Sequence, residues 1–453
     1  MNNSSHPLIE LLKSAIEQDF NQLPEYDVDP APLRARFDAL AAEGSLDALA
    51  AFQLELWRTP PPAAYPYDEP SDPETIRAGW PAGDGPAFTA GAAALQDRLA
   101  GAWLGRAAGC CFGKPFEGAV NPGDVEDLAR ALGGWPPDGY LRTWPEGAPP
   151  RTPRRGLPLR DRECAVPLMA YCPNDDDLNY PVCALMALER HGPGVTAPQL
   201  FQLIADRTPW SQIYSSGKNG ARAALLGLPH PAGALFGNPT RQSLGAMIRC
   251  DVWAWVSPGR RRTAAEFALR DAVYTQTRNG IYAGVFWAVA IQTALTTGDV
   301  ESALRTALDY VPPRSRLAEV VRWCFDQPAR ADFTSARDAL AARFGRDDRL
   351  PPKQVFNHSV INSGIVILGV LYGGGDFSKT IALTVAGAYD TDCTGATAGS
   401  LLGAAGGAAA LPPQWIAPLN DRYRSVLLGC HELRFSDLAR RTQVLAEAMG
   451  RFA

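Results

Sequence analysis

Apolar residues recur at helical spacing along most of this chain, and the strict alternation typical of half-buried β-strands is rare. Residues 8–20 place their apolar side chains on one helical face, and residues 32–57 form a second amphipathic stretch. In that stretch Ser45, which follows Gly44, predicts the start of a new helix. The pattern as a whole predicts an all-α protein.

Proline interrupts the helical pattern between Thr59 and Pro86. A segment this rich in proline disfavours both helix and central strand, so we expect an extended linker or strap there. We therefore divide the chain near residue 90, into a helical extension with its linker (1–90) and a larger helical domain (91–453). A second proline-containing region, residues 135–162, carries several arginines and has the composition of an exposed basic loop rather than a phosphate-binding lid.

Two series of glycines recur every fourth residue within the helical patterns. A glycine inside a helix costs about 1 kcal/mol relative to alanine, so a ridge of glycines predicts that another backbone approaches closely. We expect both helices to be central and packed against close neighbours, with each other as candidate partners. The two series are Gly101, Gly105, Gly109 and Gly113, and Gly395, Gly399, Gly403 and Gly407.

Two acidic clusters flank apolar, small-residue runs although more than two hundred residues separate them: 174–177 (Asn-Asp-Asp-Asp) and 390–392 (Asp-Thr-Asp). Each has an ordinary interpretation as an acidic helix start, with Asn174 as an N-cap in the first. Glu117 is different, because it ends a glycine helix where the helix dipole disfavours an acid. If these carboxylates share one buried pocket, a hard divalent cation is needed to offset their desolvation, and oxygen ligands favour Mg²⁺ or, as the alternative, Mn²⁺.

Composition narrows the function classes. The net charge of -5 is mildly acidic, unlike the strongly basic balance of nucleic-acid binders, and gives no indication of a nucleic-acid partner. The nine cysteines show no C-x-x-C pairs, which favours reduced thiols and a cytoplasmic location. The apolar run at 359–372 is shorter than the roughly 20 residues of a membrane helix, so we expect no membrane partner.

The ordered motifs resemble the ADP-ribosylglycohydrolase family over residues 97–406. Residues 101–117, a glycine helix ending in Gly113-Lys-Pro-Phe-Glu117, are similar to the family's opening helix. The 174–177 cluster is similar to its T-D-D-T motif, and the 390–393 segment with the following glycine helix is similar to its D-T-D-T motif. Each motif alone is weak, whereas the ordered set is specific.

The resemblance implies an all-α orthogonal multi-helix bundle with a two-Mg²⁺ site in which Asp392 joins or bridges to the second ion, and hydrolysis of a glycosidic bond at C1 of a ribose. The substrate would be an ADP-ribose conjugate or a related ribosylated small molecule, with an N- or O-ribosyl bond. By position, the implied catalytic residues are Glu117, Asp390 and Asp392. The implied metal-site residues are Asn174, Asp175, Asp176, Asp390, Asp392 and Cys393.

Substrate contacts are predicted from composition and from the family pattern together. One predicted group has loop composition and hydrogen-bond donors: Tyr214, Ser215, Gly217 and Asn219. The other group lies where relatives in the family carry a substrate-side helix: Arg278, Asn279 and Tyr282. For Arg249, Asp251 and Arg278 we favour structural ion pairing over contact with a pyrophosphate.

The chain departs from the family pattern at Cys393, where relatives carry threonine. Sulfur is a soft ligand that suits Mg²⁺ poorly, so a first metal is expected and a second stays open. Two alternatives remain at this point: a non-catalytic member that binds ADP-ribose or a nucleotide, and a metal-dependent phosphohydrolase.

Overall fold

The computed structural model describes residues 6–117, 122–131, 135–142, 163–166, 168–345 and 355–450. These residues are helical almost throughout, which confirms the all-α prediction. The basic side chains predicted to lie on an exposed loop (Arg151, Arg154, Arg155 and Arg160) fall outside the described residues.

The helices are, in chain order, α1 (Pro7–Phe20), α2 (Ala31–Glu43), α3 (Leu46–Arg58), α4 (Pro73–Ala78), α5 (Gly91–Gly113), α6 (Pro122–Ala131), α7 (Asp176–His191), α8 (Ala197–Arg207), α9 (Ser215–Leu225), α10 (Ala232–Leu235), α11 (Asp251–Trp255), α12 (Arg261–Ala272), α13 (Asn279–Thr297), α14 (Val300–Leu308), α15 (Arg316–Asp326), α16 (Phe333–Phe344), α17 (Ser359–Gly373), α18 (Phe377–Val385), α19 (Thr391–Gly406), α20 (Pro413–Ile416) and α21 (Phe435–Met449). Short 3₁₀ turns include Leu23–Tyr26, Lys114–Phe116 and Trp210–Gln212. Strands β1 (Tyr423–Arg424) and β2 (Glu432–Leu433) form one small antiparallel pair.

The first three helices build a small hydrophobic cluster of their own. Phe20, Phe37 and Phe52 meet at its centre, with ring centroids 5.6–6.2 Å apart. Ser45 caps α3 by accepting a hydrogen bond from the amide of Ala48 at 3.3 Å, which confirms the predicted helix start. Burial of this apolar face stabilises helices that are short for independent folding.

The proline-rich strap after α3 runs onto the main core, where Ile76 and Trp80 are buried. The expectation that this segment contains no helix is wrong over Pro73–Ala78. Asp72 accepts from the amide of Thr75 at 2.8 Å, and Pro73 stands at the first helical position, where its missing N–H is not needed. Proline therefore starts this short helix instead of preventing it.

Helices α5 and α19 pack antiparallel with their glycine ridges in direct contact, as the glycine spacing predicts. A Cβ atom on Gly105 would lie 2.2 Å from the carbonyl oxygen of Gly399, and one on Gly109 would lie 1.9 Å from that of Gly395. No real side chain fits those gaps. Because the helices run in opposite directions, the C-terminus of α5 meets the N-terminus of α19, where the hydroxyl of Thr391 donates to the carbonyl of Gly113 at 2.8 Å.

Helix α13 crosses the interior beside this pair. Among the described residues it is the helix long and apolar enough to span a membrane, but 89% of its apolar window is buried inside the protein. The length and composition of α13 are therefore those of a central core helix. Both α13 and α17 pack against α19.

Candidate active site

Three carboxylates meet where α5 ends and α19 begins. Glu117, Asp390 and Asp392 each offer one oxygen, and these oxygens all lie within 4.8 Å of one another. Asp390 and Asp392 are buried, whereas Glu117 is exposed, so the cluster opens to solvent on the Glu117 side. The glycine ridges cause this convergence, because they bring the two helix ends together.

Asp390 is held in place by the side chain of Asn362, in α17. Its amide donates to Oδ1 of Asn362 at 3.2 Å, and Nδ2 of Asn362 donates to the carbonyl of His358 at 2.9 Å. The first turn of α19 also directs its positive dipole end toward the acidic cluster. Asn362 is thus a structural support for the site, consistent with a buried hydrogen-bonding role.

The electrostatics of the cluster favour a cation or bound protons. Burial raises the pKa of Asp390 well above its usual value, and the neighbouring Asp392 and Glu117 carboxylates raise it further. Burial also raises the pKa of Asp392. Oδ1 of Asp392 is buried and has no hydrogen-bond partner among the described residues. Such an uncompensated oxygen within an all-oxygen donor set fits a hard divalent ion.

Asp176, the first residue of α7, belongs to the same electrostatic cluster. It is half-buried. Burial is the largest cause that raises the pKa of Asp176 well above its usual value. The neighbouring carboxylates raise this pKa further, in decreasing order of effect Asp175, Asp177, Asp392 and Glu117. The structure therefore brings the 174–177 cluster to the other acids: Asp177 has an oxygen within 4.8 Å of one of Asp392, and Asp176 interacts electrostatically with Asp392 and Glu117.

Asp175 is the N-cap of α7, so the expectation that Asn174 takes this position is wrong. Oδ1 of Asp175 accepts from the amide of Asp177 at 2.9 Å, and Oδ2 contacts Nζ of Lys114 in a buried ion pair. Burial alone would raise the pKa of Asp175, but the Lys114 ammonium outweighs it and the pKa is lowered. Both oxygens of Asp175 are already engaged within the protein.

Asn174 lies just outside the acidic cluster and is half-buried. Its Oδ1 accepts from Nδ2 of Asn179 at 2.8 Å and from the amide of Val426 at 3.0 Å, while its Nδ2 donates to Gln212 at 3.4 Å. These bonds anchor the start of α7 to the C-terminal hairpin and to the segment before α9. A metal role for Asn174 stays a prediction.

Asp177 and Arg106 form a fully buried ion pair below the acidic cluster. Nη2 of Arg106 lies 2.7 Å from Oδ1 of Asp177, and Nη1 lies 2.9 Å from Oδ2 of Asp251. Oδ2 of Asp177 has no hydrogen-bond partner in the described part of the chain. Asp177, Asp392 and Cys393 form another group whose ligand atoms lie within 4.8 Å of one another.

Arg249 and Arg278, which the sequence also singled out, form ion pairs within the protein, but not with the partners that were expected. Arg249 pairs with Asp271 at 2.9 Å, not with Asp251. Trp253 donates to the same Asp271 at 3.1 Å and packs in the core. These side chains stabilise the interior and do not reach the acidic cluster through any of these contacts.

The segment around Tyr214 was expected to be a loop, which is wrong from Ser215 onward because α9 begins there. Ser215 has a φ of 44°, an unfavourable backbone conformation for a residue with a side chain, and its hydroxyl accepts from Asn357 at 3.1 Å. The amide of Tyr214 donates to the hydroxyl of Tyr180 at 3.1 Å, one helical turn after Asp176. A Cβ on Gly217 would lie 2.3 Å from that same hydroxyl.

Of this predicted substrate group, Tyr214 and Ser215 are exposed, Tyr214 with 44% of its surface. Asn219 is buried, and its Nδ2 donates to the carbonyl of Gly233 at 2.8 Å. Tyr214, Ser215 and Gly217 therefore lie beside the Asp176 end of α7, whereas the Asn219 side chain is committed to the protein interior.

Arg278, Asn279 and Tyr282 contact the N-terminal segment. The guanidinium of Arg278 lies 3.8 Å from the ring centroid of Tyr26. Nδ2 of Asn279 donates to Glu69 at 2.7 Å, and the Tyr282 hydroxyl donates to the carbonyl of Pro70. These contacts are with the N-terminal segment and not with the residues around Tyr214. The substrate role of this group stays a prediction.

Comparison with known proteins places these observations in a family. The sequence model of the ADP-ribosylglycohydrolase family matches residues 91–449. One solved structure, described as an "ADP-ribosylglycohydrolase-related protein complex", is 18% identical, with 78% of this chain and 98% of that chain covered and a TM-score of 0.49. No curated protein sequence matches. By the family match over most of its length, the chain belongs to the ADP-ribosylglycohydrolase family, whose general activity is hydrolysis of the glycosidic bond in ADP-ribose conjugates.

Proposed function

We propose that this protein is a divalent-metal-dependent glycosidase that cleaves the N- or O-ribosyl bond of an ADP-ribose conjugate or a related ribosylated small molecule. The convergence of Glu117, Asp390 and Asp392 within 4.8 Å carries the proposal. Family membership supports the reaction class.

Glu117, Asp390 and Asp392 are the residues that would hold the ion, with Asp176 beside them. Mg²⁺ is the proposed ion and Mn²⁺ the alternative, because all donors are carboxylate oxygens. When bound, such an ion orients oxygen groups and stabilises negative charge. The unpartnered Oδ1 of Asp392 supports this assignment, since a buried carboxylate oxygen without a donor is costly.

The carboxylates would also move the proton of the reaction. Water attacks C1 of the ribose, the bond from C1 to the leaving group breaks, and charge resembling an oxocarbenium ion develops on the ring. A carboxylate oxygen of Asp390 or Asp392 accepts the proton that water loses, and the leaving group ends with a proton. Glu117, exposed at the opening, is positioned to contact the leaving group or the water.

The substrate would approach from the Glu117 side. Exposed Tyr214 and the Ser215 turn lie beside Asp176 and offer an aromatic ring and main-chain donors for the sugar or its substituent. We propose a cytoplasmic location, because the nine cysteines, all among the described residues, form no disulfide.

The test is incubation with an ADP-ribosylated substrate and with a simple N-ribosyl substrate, with and without Mg²⁺, and identification of products by mass. We expect free ADP-ribose or ribose only with the metal. Asp390→Asn should lower the rate by at least about a hundredfold, in the range for loss of acid–base catalysis. Asp309→Asn, an exposed acid at the end of α14, is the matched control and should retain activity.

Two outcomes would contradict the proposal. Release of phosphate with an intact ribosyl bond would identify a phosphohydrolase. Nucleotide binding without turnover, unchanged in Asp390→Asn, would identify a non-catalytic binding protein.

A further inference from the structure

The N-terminal extension is connected to the acidic cluster by a series of buried hydrogen bonds. Glu25 lies in the 3₁₀ turn Leu23–Tyr26, outside the residues 91–449 that the family model matches, and is 1% exposed. Its Oε1 lies 2.8 Å from Nε2 of His358, the N-cap of α17. A carboxylate buried this deeply is costly unless it is paired, and one of its partners is therefore the residue that starts α17.

The contacts of His358 fix both nitrogen atoms of its ring. Nδ1 accepts from the amide of Val360 at 3.2 Å, so the proton of the neutral ring lies on Nε2 and is donated to Glu25. Glu25 is itself held by Nη1 of Arg316 at 2.9 Å. The extension thus fixes the orientation of the side chain that caps α17.

Asn362 links His358 to Asp390. Its Nδ2 donates to the carbonyl of His358 at 2.9 Å and to that of Phe356 at 3.1 Å. Because both protons of this amide group are engaged, its Oδ1 has a defined direction, and it accepts from the amide of Asp390 at 3.2 Å. A shift of the main chain at His358 would therefore move the acceptor of the Asp390 amide.

The turn that precedes Asp390 depends on such external contacts. Ala388 and Tyr389 have φ values of 68° and 63°, so two successive residues with side chains lie in the left-handed region. Conformations of this kind persist only where the surrounding structure holds them, and they are concentrated at functional sites. The hydrogen bond from Asp390 to Asn362 follows this turn directly and holds its end in place.

We propose that Glu25 is a positioning residue for Asp390, which acts through His358 and Asn362 and makes the N-terminal extension part of the active site. Glu25 fixes the cap of α17, the first turn of α17 orients Asn362, and Asn362 holds the main chain of Asp390 after the left-handed turn. The effect on metal binding and hydrolysis rests on the proposed function, whereas the effect on the turn does not.

The first test is hydrogen exchange of the metal-free full-length protein, measured by mass spectrometry on peptides that cover residues 386–394. The most informative variant is His358→Asn, because asparagine retains an acceptor for the Val360 amide but lacks the Nε2 atom that reaches Glu25. We expect the segment to exchange at least about tenfold faster than in the wild type. Glu25→Gln should act in the same direction but less, since glutamine keeps one acceptor oxygen.

The second test is Mn²⁺ titration followed by electron paramagnetic resonance. Loss of a residue that directly supports a metal ligand typically weakens metal binding about 10–100-fold. His358 acts one contact further away, so His358→Asn should weaken Mn²⁺ binding at least about threefold. In an Asn362→Ala background the same substitution should cause no additional loss, because the connection is already broken.

The matched control is Asp19→Asn. Asp19 is another buried acid of the extension that pairs with the main domain, but its partner there is Arg241. This variant should lower the stability of the protein and leave both the exchange of residues 386–394 and the Mn²⁺ affinity unchanged. Circular dichroism checks that each variant is folded, and Glu25→Gln replaces His358→Asn if the latter unfolds.

Wild-type exchange of residues 386–394 in folded His358→Asn overturns the proposal, as does wild-type Mn²⁺ affinity in that variant. Equal acceleration of exchange in Asp19→Asn, or additive losses of Mn²⁺ affinity in the Asn362→Ala background, also overturns it. If the wild type binds no Mn²⁺, the proposed function fails and the exchange test alone decides. A protein that shows both effects but cleaves no ribosyl bond contradicts only the proposed function.

Discussion

Arg106 holds the main chain of Asp177 as well as its side chain: Nε donates to the carbonyl oxygen of Asp177 at 2.7 Å. In an uninterrupted helix that carbonyl would accept from the amide four residues later. Here the fourth residue is Pro181, which has no amide proton. Arg106 supplies the missing donor from the glycine helix α5, and so ties the start of α7 to the centre of the fold.

This relationship predicts a large loss of stability in Arg106→Met. The substitution would leave the buried carboxylates of Asp177 and Asp251 without their cation. Removal of one partner from a buried ion pair typically costs about 3–5 kcal/mol. Urea unfolding would measure the loss.

The matched control is Arg305→Met, which removes an exposed arginine paired with Glu301 one helical turn away. Exposed pairs of this kind contribute little, so a much smaller change is expected. Equal losses in the two variants would contradict the assignment of a supporting role to Arg106.

The glycine contacts between α5 and α19 predict that a larger residue would increase the distance between the two helices. In Gly109→Ala the new methyl group would meet the carbonyl of Gly395 at 1.9 Å, so the two backbones must separate. Overpacking of this type costs about 1–3 kcal/mol or more. It should also weaken metal binding, because Glu117 is attached to one helix and Asp392 to the other.

Calorimetry with Mn²⁺ and thermal unfolding would measure both effects. Gly194→Ala is the control, since a Cβ there meets nothing within 4 Å. Wild-type metal affinity in Gly109→Ala would contradict the view that this packing sets the distance between the carboxylates.

The predictable part of the fold is the part that local patterns encode. Helical periodicity predicted α1 to α3, and the fourfold glycine spacing predicted the close approach of α5 and α19, because each depends on residues close together in sequence. Glu117 was noticeable for a local reason too, as an acid at the disfavoured end of a helix. These signals made a shared carboxylate cluster a hypothesis, and the family resemblance then named the residues that would form it.

Supports for the site were not predicted, because their partners are distant in sequence. In the sequence Arg106 looks like an ordinary helical residue, because its partner Asp177 lies 71 residues further along the chain. Pro181 inside an acidic-start helix was the available signal, since it leaves a carbonyl in need of a donor. The substrate-side assignments of Asn279 and Tyr282 could not anticipate that Glu69 and Pro70 contact them from the strap.

The N-terminal extension takes part in a buried polar network whose strength depends on pH. Oε1 of Glu25 lies 2.8 Å from Nε2 of His358, across 333 residues of sequence, and 2.9 Å from Nη1 of Arg316. Burial alone would raise the pKa of Glu25, but Arg316 and His358 outweigh it and hold the pKa at about 2 instead of 4.5.

The lowered pKa of Glu25 makes the free energy of unfolding decrease in acid. A carboxylate with a lowered pKa in the folded state stabilises the protein above about pH 4.5, and this contribution is lost as the pH falls toward 2. The change from 4.5 to about 2 corresponds to about 3 kcal/mol. Glu25→Gln should therefore lower the neutral-pH stability and flatten its decline in acid.

Urea unfolding from neutral pH down to acid pH would test this, with the exposed Glu43→Gln at the end of α2 as the control. Parallel pH profiles for wild type and Glu25→Gln would contradict the prediction. Because His358 caps α17 and its carbonyl bonds Asn362, the same variant should also perturb metal binding beside Asp390.

The two adjacent acids at the start of α7 should differ in their effect on metal affinity. Both oxygens of Asp175 already accept from the protein, from the Asp177 amide and from Lys114. Asp176 instead interacts electrostatically with Asp392 and Glu117. We expect Asp176→Asn to weaken Mn²⁺ binding at least about tenfold, or ~1.4 kcal/mol, and Asp175→Asn to weaken it less.

Asp175→Asn keeps a side chain that can cap α7, because asparagine is as good an N-cap as aspartate. It leaves the buried Lys114 ammonium without its carboxylate, so its main effect should be on stability. Mn²⁺ titration followed by electron paramagnetic resonance, together with urea unfolding, separates the two effects. A greater loss of Mn²⁺ affinity in Asp175→Asn than in Asp176→Asn would show that Asp175 exchanges Lys114 for the metal, and would reverse the roles assigned to this pair.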